Sequence, residues 1–351
     1  MNPVLVEALR GGVRESAHRG AVAVVDADGH VVATIGDIER PIFPRSAVKV
    51  LQALPLVESG AADRLNLGDE ELAVACASHN GEPEHVAVVA RMLAKAGLDA
   101  GALECGAHWP YREKVQRDMA RAGIEPSALH NNCSGKHAGF LCVACQLASQ
   151  PGAGVDRSGL RRFAAGYVGP AHPVMREVTA SLQAATGFDL DQAARGTDGC
   201  SIPTFAIPLR HLALAFARVG TGAHWPAGRA AAAQRLRVAV ARHPFMVGGS
   251  DRFDTRVMQR LGERVFCKVG AEGVFCAALP GRGLGVAIKM DDGNNARAAE
   301  VAMAAAIEAC VDLDDGEAQF MRGLSDVTLR NWNGIEVGAL RAAAELREKL
   351  G

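Results

Sequence analysis

Apolar positions change their period twice along the chain. From Gly20 to Gly36, GAVAVVDADGHVVATIG alternates β-branched and small residues around the turn signal Asp26-Ala27-Asp28-Gly29, which predicts a β-hairpin. The segment before it, broken at Gly11-Gly12, reads as a short first helix. Pro41-Ile42-Phe43-Pro44 ends the strand pattern and leads into a helix beginning near Ser46, with Pro44 suited to the position before its first turn. From about residue 47 to 260, alanine-rich segments such as EHVAVVARMLAKAG and HAGFLCVACQLA carry helical periodicity between loops rich in Gly, Pro, Asn and Asp. Strand patterns return in RVFCKVG, GVFCAALP and GLGVAIKM, followed by the helix NNARAAEVAMAAAIEAC.

The late strands need partners, and the early hairpin supplies them. The pattern predicts an α+β protein: a mixed sheet from N- and C-terminal strands (a sheet lobe of residues 1–42 and 262–351) with an inserted, mostly helical lobe (43–261). The whole of 1–351 is a single domain with a cleft where the lobes meet. The 49% hydrophobic content is ample for its core. A net charge of -1 and a pI near 6.8 offer no field of one sign, so neither nucleic acid nor a membrane surface is an expected partner. No apolar run approaches bilayer length, and the first residues break before any signal-peptide core, which makes the cytoplasm the expected location. Nine scattered cysteines do not form a disulfide framework and are expected to be reduced, most of them in the core.

Ser46 and Lys49 stand three apart at a helix start, where both side chains can share a face. A serine hydroxyl is a weak nucleophile until a base takes its proton, and a lysine serves only when burial or neighbouring cations keep it neutral. By chance such an SxxK match arises in roughly one chain in four of this composition. Ser78-His79-Asn80 on a loop and Lys268-Val269-Gly270 on a late strand add weight, although KxG also occurs at Lys95 and Lys349. SxxK, SxN and KxG in this order resemble the active-site motifs of the serine β-lactamase and penicillin-binding-protein superfamily. In that chemistry Ser46 attacks a carbonyl, Lys49 takes its proton, and Ser78 with Lys268 passes a proton to the leaving amine. The oxyanion would meet the backbone N–H of Ser46 and that of Ala271. The spacing of 29 positions from Lys49 to Ser78 and the missing hydroxyl residue in KxG depart from that superfamily.

His130-Asn131-Asn132-Cys133-Ser134-Gly135-Lys136-His137 is a loop rich in polar donors that feeds an apolar helix, and Thr197-Asp198-Gly199-Cys200 is a second polar turn. On spacing alone, buried packing cysteines are favoured over a metal site, because the one CxxC, Cys142 and Cys145, lies within an alanine-rich helix. Together FPRSAVKVLQALPL, CASHNGEPEH, HNNCSGKHAGFL, GTDGCSIPTFAIPL and KVGAEGVF resemble the rhizobial-type, class 3 L-asparaginases over almost the whole chain. That resemblance implies a serine β-lactamase-like fold, a homodimer, and hydrolysis of L-asparagine to L-aspartate and ammonia. It implies Ser46 with Lys49 and Ser78 with Lys268 as two catalytic pairs. It also implies a zinc ion (Zn2+) on Cys133, Lys136 and Cys200, with Asp198 and His137 close by, reversing the reading from spacing. Arg45, Asn80, His137, Asp198 and Ala271 are the expected substrate-binding residues. Arg45 could hold a substrate carboxylate, lower the pKa of Lys49, or be a surface arginine at a helix start. Asp254 stands where the resemblance anticipates a cysteine. A glutaminase or other small-amide or ester hydrolase on the same fold, and a non-catalytic protein that binds zinc or an amino acid, stay open as alternatives.

Overall fold

In the computed structural model, which describes residues 1–150 and 159–350, the predicted hairpin forms between Val13–Asp26 and Val31–Ile35. Asp26 Oδ1 accepts from the N–H groups of Asp28 and His30 and closes its turn. Val13–Asp26 is the axis of an eight-stranded sheet whose pairings are antiparallel. Its neighbours on one side are Val4–Arg10, Glu336–Ala342 and Asp326–Arg330 in that order, and on the other Leu284–Met290, Val274–Leu279 and Phe266–Val269. Strands from both chain ends thus build one sheet, with helices inserted between them, as the α+β pattern predicts.

The first segment is a strand, Val4–Arg10, and not the short helix anticipated from sequence. Leucine, alanine and glutamate favour a helix locally, but two strand edges are available here, and Val6 pairs with both His18 and Ala342. The C-terminal hairpin of Asp326–Arg330 and Glu336–Ala342 adds two strands that were not anticipated; Asn331 Oδ1 closes its turn on the N–H groups of Asn333 and Ile335.

Residues Gly20–Val25 are buried on both faces of the sheet, because helices pack on it. Helix Leu209–Thr221 lies so close to strand Leu284–Met290 that a Cβ at Gly285 would stand 1.9 Å from Ala213 O. Among the described residues no helix is long and apolar enough to cross a membrane, and all nine cysteines are free and buried.

The helical lobe is centred on helix Lys49–Glu58, buried from Lys49 through Leu56. Pro55 sits inside it and lacks the N–H that would bond Leu51 O. Ser181 Oγ, from helix Pro173–Thr186, donates to that carbonyl at 3.1 Å and satisfies it. Ser181→Ala is expected to destabilise the protein by about 1–3 kcal/mol through an unpaired buried carbonyl. In a Pro55→Ala background, where the helix regains its own donor, less than half of that loss should remain in denaturant unfolding.

Candidate active site

Ser46 lies half-buried in a tight turn, Arg45–Val48, which runs into helix Lys49–Glu58. Arg45 holds a left-handed φ of 52°, which costs a non-glycine residue about 1–3 kcal/mol and is a form of strain concentrated at functional sites. Ser46 stays partly accessible while Lys49 runs inward and is fully buried. Lys49 Nζ donates to Ala77 O, to Cys133 Sγ at 3.1 Å and to Asn132 O at 3.4 Å, and Ser46 Oγ is not among its partners. A buried amine is served better by a carbonyl and a thiolate than by a neutral hydroxyl, so these groups capture it in the resting arrangement. Burial pushes the Lys49 pKa down, opposed by Cys133 and aided by Lys136.

Lys49 reaches the Ser78 loop through Ala77 O. Ser78 Oγ is buried with no hydrogen-bond partner, while its N–H donates to Val247 O. His79 ties this loop to the Cys133 segment: its N–H donates to Asn132 O, and its Nε2 meets Ser134 Oγ at 3.0 Å. Burial holds His79 well below the usual histidine range, so it is a neutral strut. Asn80 is 4% exposed; its amide donates to Glu82 Oε1 and Ser250 O, and its carbonyl accepts from Arg252. That engagement makes Asn80 part of the scaffold and leaves it little capacity for the substrate contact anticipated from sequence.

Lys268 enters from strand Phe266–Val269 and is fully buried. The glycine of its KxG motif has a steric reason: a Cβ at Gly270 would stand 2.5 Å from Pro44 O and 3.3 Å from Ala47 Cβ, so this strand end presses directly on the Ser46 turn. Ala271 follows, half-buried, in the turn that closes through Gly270 N–H to Val274 O. Lys268 Nζ donates to Val269 O at 2.9 Å and lies 3.9 Å from Asp254 Oδ2. Burial lowers its pKa to about 7, with Asp254 opposing and Lys49 reinforcing. Ser78 Oγ and Lys268 Nζ share no hydrogen bond, so neither of the two serine–lysine pairs expected from sequence is hydrogen-bonded in this arrangement.

Cys133 precedes helix Ser134–Ala148, whose N-terminus favours a thiolate. Cys133 is held well below the thiol range by a hydrogen bond from Cys200, then by Lys49 and Lys136, while Cys200 is pushed up by that same bond. Lys136 Nζ donates to Cys200 Sγ at 3.0 Å. Burial disfavours its charge, but the Cys200 and Cys133 sulfurs outweigh this and keep Lys136 an ammonium. Two sulfurs and an amine thus converge in one buried cluster, a donor set that suits zinc once Lys136 and Cys200 shed their protons. His137 is buried nearby and neutral; its Nδ1 meets Tyr167 OH at 2.6 Å, and its Nε2 has no partner. Tyr167 was not anticipated as a support for His137, and nothing in the local sequence marks it, because the two residues meet only through tertiary packing.

Arg45 Nε donates to Asp198 Oδ1 at 2.8 Å. Burial works against ionisation of Asp198, but Lys136 and then Arg45 hold its carboxyl below the usual range. A cation and an anion are thus paired beside the Ser46 turn. Residues 108–112 are tied to the Asn80 and Asn132 loops: His108 Nε2 accepts from Asn132 N–H, Tyr111 N–H donates to Asn80 O, and Arg112 pairs with Glu82. The cleft bounded by Arg64, Lys95, Cys145 and Leu160 contains none of these groups.

No curated protein matches the sequence. Among solved structures, the chain is similar to Mglu in its tris and glutamate form, at 17% identity over 85% of this chain and 61% of that one, with a TM-score of 0.34. It is also similar to a β-lactamase, Mb2281c, from Mycobacterium bovis, at 15% identity over 87% of this chain and 92% of that one, with a TM-score of 0.35. The chain thus spans about three-fifths of the Mglu chain. With TM-scores this low, no feature of the site is taken from these structures. The model of the family described as L-asparaginase II matches residues 6–342, and with nearly the whole chain covered, this protein belongs to the L-asparaginase II family.

Proposed function

We propose that this protein is an amidohydrolase of the rhizobial, class 3 type that converts L-asparagine to L-aspartate and ammonia at Ser46. Family membership supports the amide-hydrolase class. The observation that carries the mechanism is the burial of Lys49 and Lys268, both pushed toward the neutral amine, in the region that holds Ser46 and the unpartnered hydroxyl of Ser78. Arg45 and Asp198 receive the carboxylate and ammonium of the amino acid, with their own pair opening as they do so.

Ser46 Oγ then bonds to the carboxamide carbon as its proton passes to neutral Lys49. The tetrahedral oxyanion is met by the Ser46 and Ala271 N–H groups. The C–N bond breaks as charged Lys268 supplies a proton through Ser78, and ammonia leaves. Water attacks the Ser46 ester and returns a proton to Lys268, while Lys49 returns its proton to Ser46 Oγ and aspartate is released.

Cys133, Lys136 and Cys200 would hold a zinc ion, and zinc bound there would supply a fixed positive charge beside Asp198 and the substrate. The same reading includes a homodimer working in the cytoplasm.

Ser46→Ala is expected to abolish ammonia release from asparagine by at least about 10³-fold with an unchanged melting temperature; full activity in that variant would overturn the mechanism. Ammonia assays with asparagine and glutamine side by side test the substrate, with asparagine expected to give the higher kcat/KM. Zinc titrated into the purified protein is expected to bind once per chain with release of protons to buffer, seen by calorimetry in buffers of different ionisation heat. Cys200→Ala should remove that stoichiometric binding.

A further inference from the structure

The carboxylate of Asp254 is 1% exposed at the start of helix Phe253–Leu261. Its Oδ1 accepts from the Thr255 N–H at 3.3 Å and sits over Gly248, where a Cβ would stand 2.7 Å away. Its Oδ2 accepts no hydrogen bond and faces Lys268 Nζ at 3.9 Å. A buried carboxylate oxygen without a donor is stable only beside positive charge, and Lys268 has donors to spare beyond the one spent on Val269 O. Lys49, by contrast, has carbonyls and a thiol around its amine and no carboxylate. The two lysines assigned to the reaction are therefore made unequal by one acidic residue.

We propose that Asp254 is a positioning residue for the reaction: it holds Lys268 in its charged form, the form in which Lys268 can donate a proton to the leaving amine. This rests on the amidohydrolase reading and adds the residue that sets the charge of Lys268. Lys268 is faced by Asp254 and Arg252 from one side and by Lys49 and Cys133 from the other. The thiols of Cys76, Cys267 and Cys276, which also surround it, are kept protonated by burial. Glu300 faces Asp254, and its carboxyl is pushed up first by burial and then by the Asp254 charge. Asp254 thus carries the negative charge on this side of Lys268, and removing that charge leaves burial, Lys49 and Arg252 acting to strip the lysine of its proton, with only the weaker pull of Cys133 against them.

Asp254→Asn keeps the shape and removes the charge. The pH dependence of kcat/KM for asparagine should keep its form, but its alkaline limb should move to lower pH by about one unit or more, with activity at pH 8 down at least about tenfold. A purely structural loss would lower activity equally at every pH and leave the limb in place, and that outcome overturns the proposal. Melting temperatures give a second test that needs no turnover. Asp254→Asn should lower the melting temperature of the otherwise unchanged protein and raise that of Lys268→Met, where it removes an uncompensated carboxylate. Equal losses in both backgrounds would rule out the pairing. If the unchanged protein releases no ammonia from any amide, the hydrolase reading fails while the melting cycle still decides whether Asp254 serves Lys268.

Discussion

Three of the seven lysines in this chain are removed from water in one region, and the structure around them follows from that constraint. An ammonium without partners in a protein interior costs several kcal/mol, so each of the three needs its own solution. Lys136 is neutralised by the Cys133 and Cys200 sulfurs and stays charged. Lys49 has two carbonyls and one sulfur, which do not make up for burial, and it tends to the free amine. Lys268 stands between these limits, near neutrality, with one carbonyl and a carboxylate at a distance. Groups of one chemical type are thereby spread across protonation states, which is what paired acid and base work at a single pH requires.

Backbone close approach is the second condition. The strand bearing Lys268 reaches the Ser46 turn only because residue 270 has no side chain, and helix Ser134–Ala148 reaches the end of helix Asp69–Ala75 only because Gly135 would otherwise place a Cβ 2.2 Å from Val74 O. These glycines act by subtraction, letting two pairs of elements from distant parts of the chain meet. His79 and Ser134 then lock two of the loops together with neutral hydrogen bonds that add no further charge.

Much of this was legible in the sequence. The Asp26 turn, the late strands and the alanine-rich lobe follow from period and turn chemistry, and the five motifs mark the segments that form the site. What could not be read is what depends on partners. Val4–Arg10 has helix-compatible residues and becomes a strand because both of its edges are filled from elsewhere. Ser46 and Lys49 have the spacing of neighbours, yet Ala77 O and Cys133 Sγ capture the amine. Asn80 looked available to a ligand and is spent on Glu82, Ser250 and Arg252. Asp254 was visible as a departure from the resemblance, but its meaning required the position of Lys268.

The central strand, Val13–Asp26, is flanked by strands from the two ends of the chain, and this sets an order on synthesis. As the chain leaves the ribosome, Ser46, Ser78 and the two-cysteine cluster emerge well before Phe266–Val269. The early hairpin must wait, with an open edge, for partners more than 200 residues downstream. Lys268 is delivered by the same strands that seal that edge. Closing the sheet and bringing Lys268 beside the Ser46 turn are therefore one event, and a nascent or truncated chain that stops short of it holds Ser46 and Lys49 without Lys268.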